Sequence, residues 1–227
     1  MAIDFMWVET LRNARCLIFD FDGTLVDSNP IKWKAFESCF EGSPDAREKI
    51  LEFCRGNNHT PRGEKFRHVV EKILGQKFTS PVESSLHARF EALTTEQIVI
   101  APSLPGAETF LRLCQKRFAT AVLSSTPQAI LMDILTQRGW VDFFRWVQGF
   151  PVHKTTWLRE LSRCNGWRSG EMVFFGDSPE DLQAAAAVDC RFVGVANEEI
   201  KSQADHFIPN FLGIVQSTSG KAVFHGS

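Results

Sequence analysis

The sequence predicts a doubly wound α/β fold of Rossmann-like type, with a parallel sheet and an inserted α-helical cap domain. Two observations carry this prediction. Short, continuously apolar runs that end in polar residues recur along the chain, and segments of helical pattern separate them, as in βαβ units. In addition, roughly a hundred residues of mostly helical pattern separate the first two apolar runs, far more than one crossover connection needs.

The apolar runs predict five strands. The first, Cys16–Phe19, is apolar throughout, which is typical of a strand buried on both faces of a parallel sheet. It ends at an acidic turn that contains a glycine. The other four predicted strands are Phe118–Leu123, which ends at Ser124-Ser125; Met172–Phe175, which ends at Gly176-Asp177; Cys190–Val195; and His206–Ile208.

Two helices of the predicted core carry signals for where they begin. Thr126 followed by Pro127 predicts an N-cap and a first helical position, and Gly139 is where that helix is expected to stop. Ser178 followed by proline repeats the capping signal before the alanine-rich helix 180–187. Helices therefore follow the second strand and the strand that ends at Gly176.

The segment between the first two strands predicts a helical domain inserted into the core. The domain limits that follow are a catalytic core of residues 1–27 and 103–216, a cap of residues 28–102 and a flexible tail of residues 217–227. The stretches with helical pattern in the cap are Ile31–Phe40, Ala46–Cys54, Gly63–Leu74 and Val82–Leu93.

Charge and composition argue against several classes of protein. The net charge of −2 and the pI near 6.3 give no electrostatic reason to bind nucleic acid or an anionic membrane. The N-terminus lacks the pattern of a signal peptide, and no apolar run is long enough to cross a membrane. The six cysteines are scattered without metal-ligand spacing. We therefore expect a soluble, cytoplasmic protein, and the sequence does not indicate its oligomeric state.

The segment 20–28, which follows the first strand, is the strongest chemical signal in the chain. Asp20 and Asp22 are two residues apart at a strand tip, so both carboxylates can reach one site as the chain leaves the sheet. Oxygen ligands suit a hard divalent cation, and a carboxylate that attacks a phosphoryl group needs such a cation to offset charge repulsion. The structural alternative is a solvated acidic turn.

This segment resembles the first signature, DxDGTLxDS, of the haloacid-dehalogenase-like hydrolase superfamily. The resemblance continues in the family's order through the rest of the core. Ser124 matches the second motif, Ser125 takes the position beside it, and Lys154 falls where the third motif supplies a lysine. Gly176–Asp181 matches the fourth motif, GDxxxD.

The resemblance implies a phosphatase that uses Mg²⁺ as its cofactor and acts on a small phosphorylated metabolite, most readily a sugar phosphate. Asp20 would attack phosphorus and form an aspartyl-phosphate, and Asp22 would be the general acid and base. A carboxylate oxygen of Asp20, the backbone carbonyl of Asp22 and Asp177 would hold the metal. Ser124, Ser125 and Lys154 would bind the transferred phosphoryl group, while Asp181 and Thr24 would support the ligands from behind.

Each of the later motif residues also has a structural alternative. Ser124 and Ser125 could simply lead into the next helix, and Lys154 could be an exposed lysine before a helix. Asp181 sits where an acidic side chain favours the helix dipole in any case.

In the cap, the segment around Arg62 resembles the one with which β-phosphoglucomutase-like enzymes bind a distal phosphate, so we expect Arg62 to bind substrate. Lys32 stands where those enzymes usually have a histidine, which makes a mutase the second interpretation. The structural alternative for Arg62 is an exposed ion pair with Glu64 or Glu71. A relative that only binds a phosphorylated ligand is a third interpretation. Dehalogenases lack the second acid of the first motif, which is present here as Asp22.

Overall fold

The structure, a computed structural model, describes residue 11 and residues 13–40, 46–57 and 60–219. Three predictions fall outside these residues, wholly or in part. They concern the N-terminus that was compared with a signal peptide, residue 59 in the segment before Arg62, and the tail beyond residue 219. Residues 217–219 belong to the last described helix, Leu212–Ser219, so regular backbone structure continues past the predicted start of the tail.

The chain forms two compact units. One, here named the core unit, comprises the chain up to Asp27 and from Pro102 onward, and the other, the helical unit, comprises Ser28–Ala101. The two chain segments of the core unit that lead into the helical unit and back from it run side by side. The Asp27 N–H donates to the Pro102 carbonyl (3.0 Å), and Val26 forms an antiparallel bridge with Ser103.

In the helical unit, the described residues form four α-helices and one π-helical turn. Its core contains the aromatic side chains of Phe36, Phe66 and Phe90, whose ring centroids lie 4.8–6.0 Å apart. That this unit acts as a cap stays a prediction. The helices are α1 (Asn29–Cys39), α2 (Arg47–Gly56), α3 (Arg62–His68), which the π-helical turn Val69–Ile73 extends, and α4 (Ser80–Ile100).

A six-stranded parallel sheet forms the centre of the core unit. Its strands are β1 (Cys16–Phe19), β2 (Ala119–Pro127), β3 (Trp146–Phe150), β4 (Met172–Gly176), β5 (Arg191–Val195) and β6 (His206–Ile208). They lie in the order β3-β2-β1-β4-β5-β6, and every pairing is parallel. The order reverses between β1 and β4, and ligands of such sheets bind at the carboxyl ends beside this point. The prediction of a doubly wound α/β fold is confirmed.

Strand β1 is buried along its whole length, as its apolar sequence predicts. Its four residues pair with β2 on one side and with β4 on the other. Phe19 stacks on Phe175 of β4, with ring centroids 4.9 Å apart, and meets Phe110 edge to face. Burial of each such ring contributes about 1.5–3 kcal/mol, so the strand that ends at Asp20 is held rigidly.

Strand β3 was not predicted. Its sequence, Trp-Val-Gln-Gly-Phe, lacks a continuous apolar run because the strand lies at an edge of the sheet and is only half-buried at its first three residues. Gly149 lies against β2 so closely that a β-carbon there would lie 2.5 Å from the Thr126 carbonyl oxygen.

The helices of the core unit connect these strands. The helix Gln128–Gln137 stops just before Gly139, which takes a left-handed backbone conformation (φ 67°), as predicted. Among the described residues no helix is long and apolar enough to cross a membrane. The core helices are α5 (Ala107–Cys114), α6 (Gln128–Gln137), α7 (Lys154–Asn165), α8 (Pro179–Ala186) and α9 (Leu212–Ser219).

Candidate active site

Asp20 lies directly after β1, at the carboxyl edge of the sheet. Its backbone N–H donates to the Phe175 carbonyl (2.8 Å), which continues the pairing with β4 by one residue. The side chain is 4% exposed, so the carboxylate has lost most of its water. The fold therefore holds an acidic group in the interior, which is costly unless cations or hydrogen-bond donors compensate it.

Lys154 supplies a compensating charge. As the first residue of α7, it is buried and donates from Nζ to Asp20 Oδ1 (2.8 Å) and to Asp181 Oδ1 (2.6 Å). Although burial works against its charge, the carboxylates of Asp181 and Asp20 raise the pKa of Lys154 above its ordinary value. The lysine is therefore a fixed cation beside Asp20, not the exposed lysine of the structural alternative.

Asp181 holds this lysine while it also caps α8. Its Oδ2 atom accepts from the Ser178 N–H (3.2 Å) and hydroxyl (2.6 Å), and its own N–H donates to Ser178 Oγ (3.1 Å). This is a reciprocal capping box, so the predicted N-cap at Ser178 is confirmed. A β-carbon at Gly176 would lie 2.5 Å from the Asp181 β-carbon, so glycine is what lets the helix start approach the strand end.

Asp177 follows β4 and belongs to the same acidic group. Its Oδ1 atom lies 3.4 Å from the Thr24 hydroxyl, which donates to it. Its backbone carbonyl accepts from Asn197 Nδ2 (2.8 Å). Asn197, after β5, therefore ties the loop that carries Asp177 to the neighbouring strand.

The chemistry of these donors fits a hard divalent cation. Carboxylate oxygens of Asp20, Asp177 and Asp181 lie within 4.8 Å of one another, and all three residues are buried. Burial raises the pKa of Asp20 well above its ordinary value; Lys154 opposes this, and the carboxylates of Asp181, Asp177 and Asp22 add to it. The carboxylates of Asp20, Asp177 and Asp181 offer only oxygen ligands and a local excess of negative charge, both of which favour binding of Mg²⁺.

The second carboxylate of the first motif, Asp22, meets hydroxyl groups from β2. Thr126 Oγ1 donates to Asp22 Oδ2 (2.8 Å), and the buried Ser124 hydroxyl lies 3.5 Å from the same oxygen. The prediction that Thr126 caps α6 is wrong. β2 continues to Pro127, α6 begins at Gln128 without a side-chain cap, and the threonine hydroxyl is directed to Asp22 instead.

Two further residues that were predicted to bind substrate, Ser125 and Arg62, make other contacts. Ser125 is exposed, and its hydroxyl lies 3.4 Å from Glu180 Oε2 at the start of α8. Arg62 belongs to the helical unit, where it pairs with Glu91 (3.7 Å) and lies over the Phe90 ring, 4.8 Å from its centroid. Glu91 is thus one ion-pair partner of Arg62, and the structural alternative did not name it.

Sequence reasoning missed two residues of the cluster, Thr126 and Asn197. The signal for Thr126 was obscured because threonine before proline is also a capping pattern. Asn197 follows closely after β5, and a search for polar residues beyond the carboxyl ends of all predicted strands would have found it.

Comparison with known proteins finds one matching protein family and several similar enzymes. Residues 17–195 match the haloacid dehalogenase-like hydrolase family. The phosphoglycolate phosphatase of Pectobacterium atrosepticum is 28% identical over 220 residues, which cover 88% of this chain and 91% of that protein. The phosphoglycolate phosphatase of Vibrio cholerae is 26% identical over 226 residues, which cover 89% and 96%.

Solved structures of similar fold cover nearly the whole chain. The haloacid dehalogenase-like family protein SP0104 of Streptococcus pneumoniae superposes with a TM-score of 0.71 at 17% identity, over 91% of this chain and 99% of that one. The Bacillus subtilis protein YfnB, bound to magnesium, gives a TM-score of 0.70 at 15% identity, over 91% and 99%.

Proposed function

Because this chain belongs to the haloacid dehalogenase-like hydrolase family, we propose that it is a magnesium-dependent phosphomonoester hydrolase that acts through an aspartyl-phosphate on Asp20. The observation that carries the proposal is the environment of Asp20. Asp20 directly follows the buried strand β1. Its carboxylate accepts a hydrogen bond from the buried Lys154 and lies among further buried carboxylates. The family and the phosphatase class, both predicted from the sequence, are confirmed by the family match and by relatives named as phosphatases.

In the first half of the proposed reaction, a carboxylate oxygen of Asp20 attacks phosphorus and the bond from phosphorus to the ester oxygen breaks. Asp22 gives its proton to that departing oxygen, so no alkoxide has to leave. Lys154 and Ser124 stabilise negative charge on the phosphoryl oxygens, and Ser125, next to Ser124 in the chain, assists in binding them. The lysine holds the Asp20 carboxylate in place by its hydrogen bond to Oδ1.

In the second half, Asp22 takes a proton from water, whose oxygen attacks phosphorus and releases phosphate from Asp20. Asp22 is thereby returned to its protonated form, and Asp20 to its free carboxylate. A bound Mg²⁺, held by Asp20, the Asp22 carbonyl and Asp177, would offset the charge of the phosphoryl group and the carboxylates. Thr24 and Asn197 keep Asp177 oriented, and Asp181 keeps Lys154 in reach of Asp20.

We propose a small phosphorylated metabolite as substrate. The sequence favours a sugar phosphate, whereas the names of the relatives favour 2-phosphoglycolate, a phosphorylated hydroxy acid. A panel of phosphorylated sugars and acids therefore has to contain both, and the panel is run without a bisphosphate so that mutase activity is not mistaken for hydrolysis. That the enzyme works in the cytoplasm stays a prediction.

We also propose that Arg62 binds the end of the substrate remote from the phosphoryl group. Guanidinium can hold a carboxylate or phosphate through two parallel hydrogen bonds, which a lysine cannot reproduce. Arg62→Ala should lower kcat/KM for the best substrate of the panel about tenfold, as for loss of a charge-assisted contact. It should leave p-nitrophenyl phosphate unaffected. Equal kcat/KM of both proteins on every substrate would instead show that Arg62 does not bind the substrate and serves contacts within the helical unit, such as those with Glu91 and Phe90.

The covalent mechanism is tested by replacing Asp20. Asp20→Asn keeps the shape of the side chain but removes the nucleophile, so we expect at least about a hundredfold loss of kcat with Mg²⁺ present. Asp142→Asn, an exposed aspartate of the same unit, is the matched control and should keep wild-type activity. Acid-quenched wild-type enzyme should carry labelled phosphate, and Asp20→Asn should not. Activity of Asp20→Asn near the wild-type level would remove Asp20 from the mechanism.

A further inference from the structure

The Thr126 side chain makes a hydrogen bond of ordinary length to the Asp22 carboxylate. Its hydroxyl donates to Asp22 Oδ2 at 2.8 Å, whereas the Ser124 hydroxyl lies 3.5 Å from the same oxygen. The two β2 hydroxyls are linked, since the Thr126 N–H donates to Ser124 Oγ (3.1 Å). One carboxylate oxygen of Asp22, the proposed general acid and base, is therefore hydrogen-bonded by a threonine that belongs to none of the sequence motifs.

The strand pairing around Thr126 orients its side chain towards Asp22. The pairing of β2 with β3 shifts register between Leu123 and Pro127, so the strand pairing is irregular where Ser124 and Thr126 lie. Such irregularities redirect side chains and are common next to functional sites. Gly149 of β3 lies close to this segment: a β-carbon at that position would come within 2.5 Å of the Thr126 carbonyl oxygen. The threonine is thus fixed by the sheet and not by a flexible loop.

We infer that Thr126 is a positioning residue for the general acid and base, an inference that rests on the proposed phosphatase mechanism. By donating to Oδ2, the hydroxyl fixes the rotamer of the Asp22 carboxyl group and leaves the transferable proton on Oδ1. That proton passes to the departing ester oxygen as the bond to phosphorus breaks, and water replaces it when the phosphate on Asp20 is hydrolysed. Without the hydroxyl, the carboxyl group turns away from this orientation and proton transfer to the leaving group becomes inefficient.

The consequence is a dependence on the leaving group. A leaving group of low basicity, such as p-nitrophenolate, needs little protonation, whereas phenolate needs more. Thr126→Val removes the hydroxyl but keeps a branched side chain of similar shape. It should therefore impair the reaction of phenyl phosphate more than that of p-nitrophenyl phosphate, although the two substrates differ only in the para nitro group.

The experiment measures kcat/KM with Mg²⁺ for a series of substituted phenyl phosphates. This parameter reports the steps up to departure of the phenol and excludes hydrolysis of the phospho-enzyme. We expect Thr126→Val to lose about tenfold more activity on phenyl phosphate than on p-nitrophenyl phosphate, the scale of a general acid that is partly lost. Thr126→Ser, which restores a hydroxyl, should recover most of the loss. Thr136→Val, an exposed threonine of α6 that bonds the Met132 carbonyl, is the matched control and should behave as wild type.

The outcomes separate this inference from the proposed function. Equal losses of Thr126→Val on all the phenyl phosphates would overturn the inference and leave Thr126 as a structural residue. Activity that is unchanged in Thr126→Val would also overturn it, and neither result affects Asp20 as nucleophile. If Asp20→Asn keeps its activity in the same series, the proposed mechanism fails first and this inference fails with it.

Discussion

Lys65 places a charged group in the interior of the helical unit. The side chain is 5% exposed, and its Nζ atom lies 4.6 Å from the centroid of the Phe36 ring. Burial is the largest cause that lowers the pKa of Lys65 to about 8; the nearby charges of Lys32 and Arg62 act in the same direction, and Cys54 opposes them. In the unfolded chain the same lysine has its ordinary pKa of 10.5, so folding changes its affinity for a proton.

This difference predicts how stability depends on pH. Between pH 8 and 10.5 the unfolded chain binds more protons at Lys65 than the folded chain, so the free energy of unfolding gains a contribution that rises with pH. Below pH 8 the lysine is charged in both states, and its burial is fully unfavourable. Lys65→Met should therefore stabilise the protein by about 1–3 kcal/mol at pH 7, and the gain should shrink towards pH 10.

Urea unfolding of Lys65→Met and wild type across this pH range measures the effect. Lys49→Met is the matched control, because Lys49 is an exposed lysine of the same unit and should give a small, constant difference. A stability difference for Lys65→Met that is constant from pH 7 to 10 would contradict the prediction.

At the scale of single residues, the sequence predicted the side chains that belong to a motif better than the side chains outside the motifs that contact them. Asp20, Lys154, Asp177 and Asp181 were named from their motifs, and the structure brings them together. Thr126 was assigned to the wrong partner, because a threonine before proline favours a helix cap in isolation. In the structure the Thr126 hydroxyl bonds to Asp22, at a place where the pairing of β2 with β3 shifts register. This pairing joins segments that are well separated in sequence, so a local sequence pattern does not reveal it.

At the scale of elements, the close approach of β4 and α8 depends on Gly176. The backbone there is not left-handed, so the need for glycine comes from space alone: a β-carbon would lie 2.5 Å from the Asp181 β-carbon and 2.7 Å from its Oδ2 atom. Gly176→Ala has to push the helix start away from the strand. We expect a loss of about 2 kcal/mol or more in stability, as for overpacking of a rigid core, together with loss of activity.

The matched control is Gly56→Ala, at the end of α2, where no atom lies within 4 Å of the added β-carbon. Since alanine favours helix more than glycine does, this change should leave stability equal or raise it by up to about 1 kcal/mol. Chemical denaturation of both variants measures the contrast. Similar stability of the two variants would show that the strand and helix can separate without cost.

Elements that are apolar along their whole length were predicted best. The buried strands β1 and β4 match their apolar runs within a residue, whereas the half-buried edge strand β3 has no such run. Helix limits in the helical unit differ from the prediction by up to seven residues. The largest difference is in α4, which continues to Ile100, because no glycine or proline interrupts the sequence after Leu93.

At the scale of the whole molecule, a ligand that binds only the folded state must stabilise it. Excess Mg²⁺ should raise the unfolding temperature in proportion to ln(1 + [Mg²⁺]/Kd), equivalent to about 2.7 kcal/mol at a hundred times Kd. Asp177→Asn removes one proposed ligand and should abolish most of the shift, and Asp142→Asn should retain it. Differential scanning calorimetry with Mg²⁺ and with chelator measures both. A full shift in Asp177→Asn would exclude Asp177 as a ligand.

The paired connections at Asp27 and Pro102 have a consequence for descent. The chain leaves the core unit and returns to it at two neighbouring points, where the Asp27 N–H donates to the Pro102 carbonyl (3.0 Å). An ancestral gene could therefore gain, lose or exchange this insertion without re-threading the sheet, since a replacement has only to start and finish at neighbouring points. Selection can then change the helical unit without changing the residues that follow the strand ends.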